Sequence, residues 1–153
     1  MTIATNQTLE VRNLLSFRKT LTAMELNDTS QRLLNYIESA GAQKIGGGIS
    51  ATYAIEGDKL DIAMYIPIDK EVPSTEEFEF KPLLRLENCI MATHKGNPNM
   101  LENTLQGLND YIVQNGLNPI SAGFIVPKRE IIDIYDAENF EVNVYISIDP
   151  NVV

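Results

Sequence analysis

Phe140-Glu141-Val142-Asn143-Val144-Tyr145-Ile146-Ser147-Ile148-Asp149 forms the last apolar run of the chain, and Leu60-Asp61-Ile62-Ala63-Met64-Tyr65-Ile66-Pro67-Ile68-Asp69 has the same pattern eighty positions upstream. In both runs the even-numbered residues are apolar. The odd positions carry an acid, a small or polar residue, Tyr, a small residue and Asp. A period of two marks a strand with one buried face. The opposite face offers Asp61, Tyr65, Glu141, Asn143 and Tyr145, polar groups on rigid backbone, where a binding site is positioned best.

The residues before each run repeat as well. Leu9, Val11, Leu15 and Phe17 alternate as a strand interrupted at Asn13. Asn27-Asp28-Thr29-Ser30 supplies several possible caps for a helix with a stripe of Leu26, Leu33, Leu34, Ile37 and Ala40, stopped by Gly41. Ile45-Gly46-Gly47-Gly48 lacks the preceding strand, the following helix and the Lys-Ser/Thr of a phosphate loop. It reads as the entry to a strand over 49–55 that turns at Glu56-Gly57-Asp58-Lys59 into the Leu60 run. Residues 70–77, polar with one Pro, read as a linker.

The order then starts over. Residues 78–80 extend the linker as an edge strand, and 83–94 form a full strand. Asn97-Pro98-Asn99 opens a helix with Leu101, Leu105, Leu108 and Ile112 on one face, and Asn115-Gly116 closes it. An offset of seventy-five superposes the helices, Leu26 on Leu101, Leu33 on Leu108, Tyr36-Ile37 on Tyr111-Ile112 and Gly41 on Gly116. It also places Gly48 on Gly123, ahead of a strand over 124–128, so the extra five residues of the second copy fall in the hairpin over 129–139. The prediction is one α+β domain over 1–153, a duplicated β-α-β-β unit with copies over 9–69 and 78–149. A curved antiparallel sheet would carry two helices on one face and a central cleft on the other.

A chain of 153 residues can bury a core without a disulfide or metal staple. The single Cys89 excludes an internal disulfide. The first residues lack a signal peptide's basic start and apolar run, and polar residues interrupt every hydrophobic stretch before it reaches membrane-spanning length. A cytoplasmic protein without a membrane partner is expected. The formal charge of −9, from 12 basic and 21 acidic residues, disfavours nucleic acid, whose backbone is bound by clustered Lys and Arg.

Strand-helix-strand-strand twice, His94-Lys95-Gly96 before the second helix, the Asp110-Tyr111-Ile112 to Asn115-Gly116 helix end and the closing Val142 to Ile148 run resemble the gyrase-inhibitor-like effector-binding domains, which also serve bacterial multidrug-responsive transcription activators as ligand sensors. The resemblance covers about 9–149. It implies a cleft between the copies that takes small, often aromatic or cationic molecules. It also implies a buried Glu a few residues after Gly123 and a Thr-Glu pair in the closing strand. Here Phe124-Ile125-Val126-Pro127 and Val142-Asn143 stand instead. A buried acid is what selects a cation, so its loss favours a neutral aromatic ligand held by Tyr53, Tyr65, Tyr145 and Asn143. For a cationic ligand, Glu141 and Asp61 are the neighbouring acids able to take the place of the missing carboxylates. With no DNA-binding module expected beside it, the domain reads as free-standing.

No cofactor is expected. His94 is the only histidine, which excludes a histidine-rich metal site, and no nucleophile or orienting acid stands beside it in sequence. Cys89 reads as a small buried residue, and Tyr36 and Tyr111 as packing residues. Glu141 and Tyr145 lie roughly 13 Å apart along one strand, too far for a close catalytic pair, so no catalytic residue is assigned. The leading expectation is a small-molecule binder. One alternative is an interaction or inhibitor module for a basic protein partner. The other is a hydrolase of reactive aromatic molecules, as some free-standing relatives are thought to be.

Overall fold

The computed structural model describes residues 2–128 and 140–150. The chain is α+β. In order it contains β1 (Ile3–Thr22), α1 (Ala23–Ser39), β2 (Ile49–Glu56), β3 (Lys59–Pro67), β4 (Glu79–Lys95), a 3-10 turn (Pro98–Met100), α2 (Leu101–Gln114), β5 (Phe124–Pro127) and β6 (Glu141–Ser147). It divides into two compact units, Glu10–Leu84 and Met1–Leu9 with Arg85–Val153. In the first, β3 pairs antiparallel with β1 and with β2. In the second, β6 pairs antiparallel with β4 and with β5. Among the described residues no helix is long and apolar enough to cross a membrane.

The duplication holds at the level of single hydrogen bonds. Asn13 and Asn88 both adopt a left-handed backbone, with φ of 57° and 52°. Their carbonyls accept from the amides of Ile68 and Ile148 at 2.9 and 3.1 Å. Asp69 donates to Gln43 at 3.0 Å as Asp149 donates to Asn118 at 2.8 Å, and both helices end on an amide bonded to the carbonyl of Tyr36 or Tyr111. Tyr65 faces Ile49 across one ladder as Tyr145 faces Phe124 across the other. Asn accepts positive φ more readily than other residues with a side chain. After the first of these sites Leu14 and Leu15 are both fully buried on opposite faces, and Ser16 follows on the Leu14 face.

Each helix packs on one face of its own strands. Leu33 and Ile37 of α1 meet Leu15, Phe17, Ile62 and Ile66. Leu108 and Ile112 of α2 meet Ile90, Ala92, Val142, Val144 and Ile146. Burial of one such side chain is worth about 1.5–3 kcal/mol, which makes these stripes the main source of helix stability. Gly48 sits where an added Cβ would lie 3.1 Å from both Ile66 and Met64, so close packing against β3, and no phosphate, accounts for that glycine.

Several boundaries differ from the sequence reading. Helix α1 starts before 27–30: the Thr22 hydroxyl accepts from the Glu25 amide at 3.2 Å while the Glu25 carboxylate accepts from the Thr22 amide at 3.1 Å. This reciprocal cap satisfies two amides at once. Strand β1 already begins at Ile3, and the stretches over 78–80 and 83–94 are one strand, β4, that runs through the positive-φ Asn88. Segment 70–77 is held to the first unit: Val72 is buried in its core, and Tyr36 donates to the Pro73 carbonyl at 2.5 Å. The predicted insertion over 129–139 lies outside the described residues.

Asn13→Ala should cost about 1 kcal/mol, the strain of a left-handed residue with a Cβ, whereas Asn13→Gly should stay within about half of that. Urea unfolding midpoints of the two variants measure the difference.

Candidate functional site

Alternation puts Ser16, Arg18 and Thr20 of β1 opposite Tyr65, Ala63 and Asp61 of β3, on the face that points away from α1. On β2 the register shifts by one residue between Thr52 and Ala54. Tyr53 is the extra residue of this bulge, and bulges commonly re-aim a side chain beside a site. The result is a cluster. The Arg18 guanidinium lies 3.7 Å from the centre of the Tyr53 ring, and its Nε and Nη2 donate to the two Asp61 oxygens at 3.1 and 3.0 Å. Such fork-to-carboxylate pairing fixes the guanidinium plane as well as its charge. Asp61 is held below the usual carboxylate range by the Arg18 hydrogen bonds.

Tyr65 is only 8% exposed. Burial first, then the neighbouring Tyr53 and its hydrogen bond, push its phenol up to about 12. It therefore stays neutral across the physiological range. Tyr53 and Tyr65 both line a cavity of about 530 Å³ in this unit, together with Ser16, Arg18 and residues 74–79. That volume lies within the usual range of small-molecule sites.

Charged side chains gather beside this cavity, and they pair among themselves. Glu77 binds Lys19, and its carboxylate also accepts from Arg32 at 2.8 and 3.2 Å. These two partners pull Glu77 down to about 2. Lys81 approaches Glu79 at 3.5 Å. Among the described residues, no three His, Cys, Asp or Glu side chains cluster as a metal site requires.

The remaining candidates belong to the second unit. The Thr93 hydroxyl donates to the Asn143 side-chain oxygen at 2.7 Å. Glu141 faces Lys95 across the ladder and takes Lys128 at 3.3 Å. Tyr145, half-buried, stands between Met91 and Phe124 on the neighbouring strands. The structure thus brings Tyr53, Tyr65 and Asp61 together in one unit and Glu141, Asn143 and Tyr145 on one strand of the other. His94 is buried, with Nδ1 on the Thr104 hydroxyl at 3.0 Å and Nε2 on the Asn97 carbonyl at 2.9 Å. Both nitrogens thus have structural partners. Cys89 is fully buried, and desolvation pushes its thiol up. Arg18 is the functional side chain that sequence reasoning missed. Its place opposite Leu15 and Phe17 in the alternation was the available signal.

No protein-family model matches the chain, and no curated protein matches it in sequence. Solved structures do. EcmrR in its DNA complex within EcmrR-RPo superposes with a TM-score of 0.73 at 11% identity, over 96% of this chain and 57% of that one. The chain therefore spans little more than half the length of that protein. The EcmrR C-terminal domain alone gives 0.69 at 12% identity over 97% of this chain and 99% of that domain. SAV2435, solved bound to tetraphenylphosphonium, gives 0.58 at 12% identity over 95% of this chain and 94% of that one. At such identities the likeness is one of fold. It is the gyrase-inhibitor-like effector-binding fold that the sequence resemblance implied.

The depressed Glu77 carboxyl predicts a defined acid sensitivity. A carboxylate lowered by folding contributes stability above its unfolded value, near 4.5, and loses it as pH falls toward about 2. Melting temperatures of Glu77→Gln should fall less steeply than wild type over that window. At neutral pH the variant should be less stable by about 1 kcal/mol, the scale of a partly exposed ion-pair network.

Proposed function

We propose that this protein binds a small neutral aromatic molecule at the tyrosine-bearing face, with Tyr53, Tyr65 and Arg18 as its principal contacts in the cavity of the first unit. The observation that carries the reading is the position of Arg18. A lipophilic cation is recognised by an open aromatic face and by a carboxylate free to pair with it. Here the protein's own guanidinium covers the Tyr53 ring and occupies Asp61, and Glu77 and Glu79 are each paired with bases. What the cavity offers a ligand is the neutral Tyr65 phenol, which shares a hydrogen bond with Tyr53, the exposed part of the Tyr53 ring and the Ser16 side. This chemistry suits an aromatic group with one hydrogen-bonding substituent.

The structural neighbours support small-molecule binding as the general task, since SAV2435 carries tetraphenylphosphonium. In this chain the same fold is set for a different charge. In the second unit Tyr145 repeats the register of Tyr65, and Asn143 accepts from the Thr93 hydroxyl. Glu141 and Asp61 are charge partners of Lys128 and Arg18, and the reading gives them the task of holding those bases in place.

A thermal-shift comparison of neutral aromatic amides and ketones with tetraphenylphosphonium tests the reading. A ligand at one hundred times its dissociation constant adds about 2.7 kcal/mol, a shift of several degrees for a domain of this size. Neutral aromatics should stabilise wild type and lose that effect in Tyr53→Ala. Arg18→Ala uncovers the Tyr53 ring and frees Asp61, so it should gain stabilisation by tetraphenylphosphonium. Stronger stabilisation of wild type by the cation than by any neutral compound would reverse the proposal.

A further inference from the structure

Three carboxylates, those of Glu76, Glu77 and Glu79, belong to the residues that wall the cavity of about 530 Å³ in the first unit. They are not equally placed to act on a ligand. Glu76 is exposed and the Glu79 side chain is 66% exposed, whereas that of Glu77 is 31% exposed. A charge weighs more on its neighbours where less water screens it. Glu77 is therefore the acid whose direction matters most to the charge of the site.

That direction is set from outside the cavity. The Thr75 hydroxyl oxygen accepts from the Glu77 and Phe78 amides at 3.2 and 2.9 Å, and the Thr75 amide donates to the Phe78 carbonyl at 2.7 Å. This turn fixes the Glu77 backbone, so the side chain alone decides where the charge lies. Its Oε1 accepts from Arg32 Nε at 3.2 Å, and its Oε2 from Arg32 Nη2 at 2.8 Å and from Lys19. Neither base is among the residues lining the cavity. Arg32 lies on α1, and Lys19 stands opposite Ile62, a residue of the core under that helix. Arg32 is steadied in turn by the buried Thr29, whose hydroxyl oxygen accepts from Nη2 at 3.2 Å. Both oxygens of Glu77 are thus engaged on the helix side.

We propose that Arg32 and Lys19 are specificity-determining residues of the candidate site although they lie outside it: by holding the Glu77 carboxylate toward α1, they withdraw the least exposed acid from the cavity and make it favour neutral over cationic ligands. The inference rests on the reading of this cavity as an aromatic-binding site. It is separate from the role of Arg18, which lines the cavity and covers the Tyr53 ring. The ordinary carboxyl value of Glu77, near 4.5, lies well below neutral pH. Removal of both bases therefore leaves an ionised carboxylate that is free to meet a cation.

Two ligands of one shape separate charge from fit: 4-tert-butylacetophenone and the (4-acetylphenyl)trimethylammonium ion, in which a nitrogen cation replaces the quaternary carbon. Isothermal titration at a single ionic strength gives the ratio of their dissociation constants for each variant. Wild type should prefer the ketone, and Arg32→Lys should keep that preference. Lys19→Met/Arg32→Met retains the aliphatic stems and should shift the ratio toward the cation by roughly three- to fivefold, the scale of a partly exposed charge pair. Arg32→Met alone should shift it in the same direction by less. Adding Glu77→Gln to the double variant should return the ratio to the wild-type value, with circular dichroism reporting the fold of each variant. The inference is overturned if the ratio stays at the wild-type value in the folded single and double variants. It is also overturned if the shift survives Glu77→Gln, because general loss of positive charge would then explain it. If the ketone does not bind wild type, or binds Tyr53→Ala equally well, the aromatic-site reading falls and takes this inference with it.

Discussion

One backbone contact, made twice, fastens the ends of the strands that carry the candidate site. The left-handed Asn13 directs its carbonyl to the Ile68 amide, and Asn88 does the same for Ile148. Each bond ties the first strand of a unit to the end of its last strand. The same local twist lets Leu14 and Leu15 be buried in succession, after which Ser16 and Arg18 return to the face that carries Tyr65. Leu14 precedes Ser16 and Arg18 on the face away from α1, while Leu15 and Phe17 enter the core under the helix.

The fold was legible because its signals are local. Period-two runs, Gly after a helix and a repeat at fixed offset all lie within a few residues of one another, and the strands and helices they predict are present. Where the reading went astray, the missing information was long-range or ambiguous. Four cap-type residues at 27–30 outweighed Thr22, whose partner Glu25 makes it the true cap. Val72 is one apolar residue in a polar stretch, and nothing in that stretch announces that it enters a core. Arg18 and Asp61 are separated by 43 positions, so their pairing emerges only from the register of β1 on β3. The bulge at Tyr53 has no glycine or other local mark.

The charge arrangement extends what the sequence suggested about the ligand. Absence of the acids implied by the family resemblance removed one reason for cation binding. The structure adds another, since an arginine already occupies the aromatic face and the nearby carboxylate. Arg18 makes its strongest contacts with Asp61 and Tyr53, and both are within the same three strands. The polarity of this face is thus determined by pairs internal to the first unit, which a substitution in either partner would unmask.

The two copies share a backbone but not an electrostatic character. Where the first has Lys19, Arg32 and Glu77 joined in one network, the same positions of the second hold His94, Gly107 and Thr2. His94 there contacts a hydroxyl and a carbonyl. At these matched positions the first copy is fastened by salt links and the second by hydrogen bonds. Strong salt screens the first kind of fastening far more than the second. Rising ionic strength therefore weakens the Lys19–Glu77–Arg32 links of the first copy more than the His94 contacts of the second.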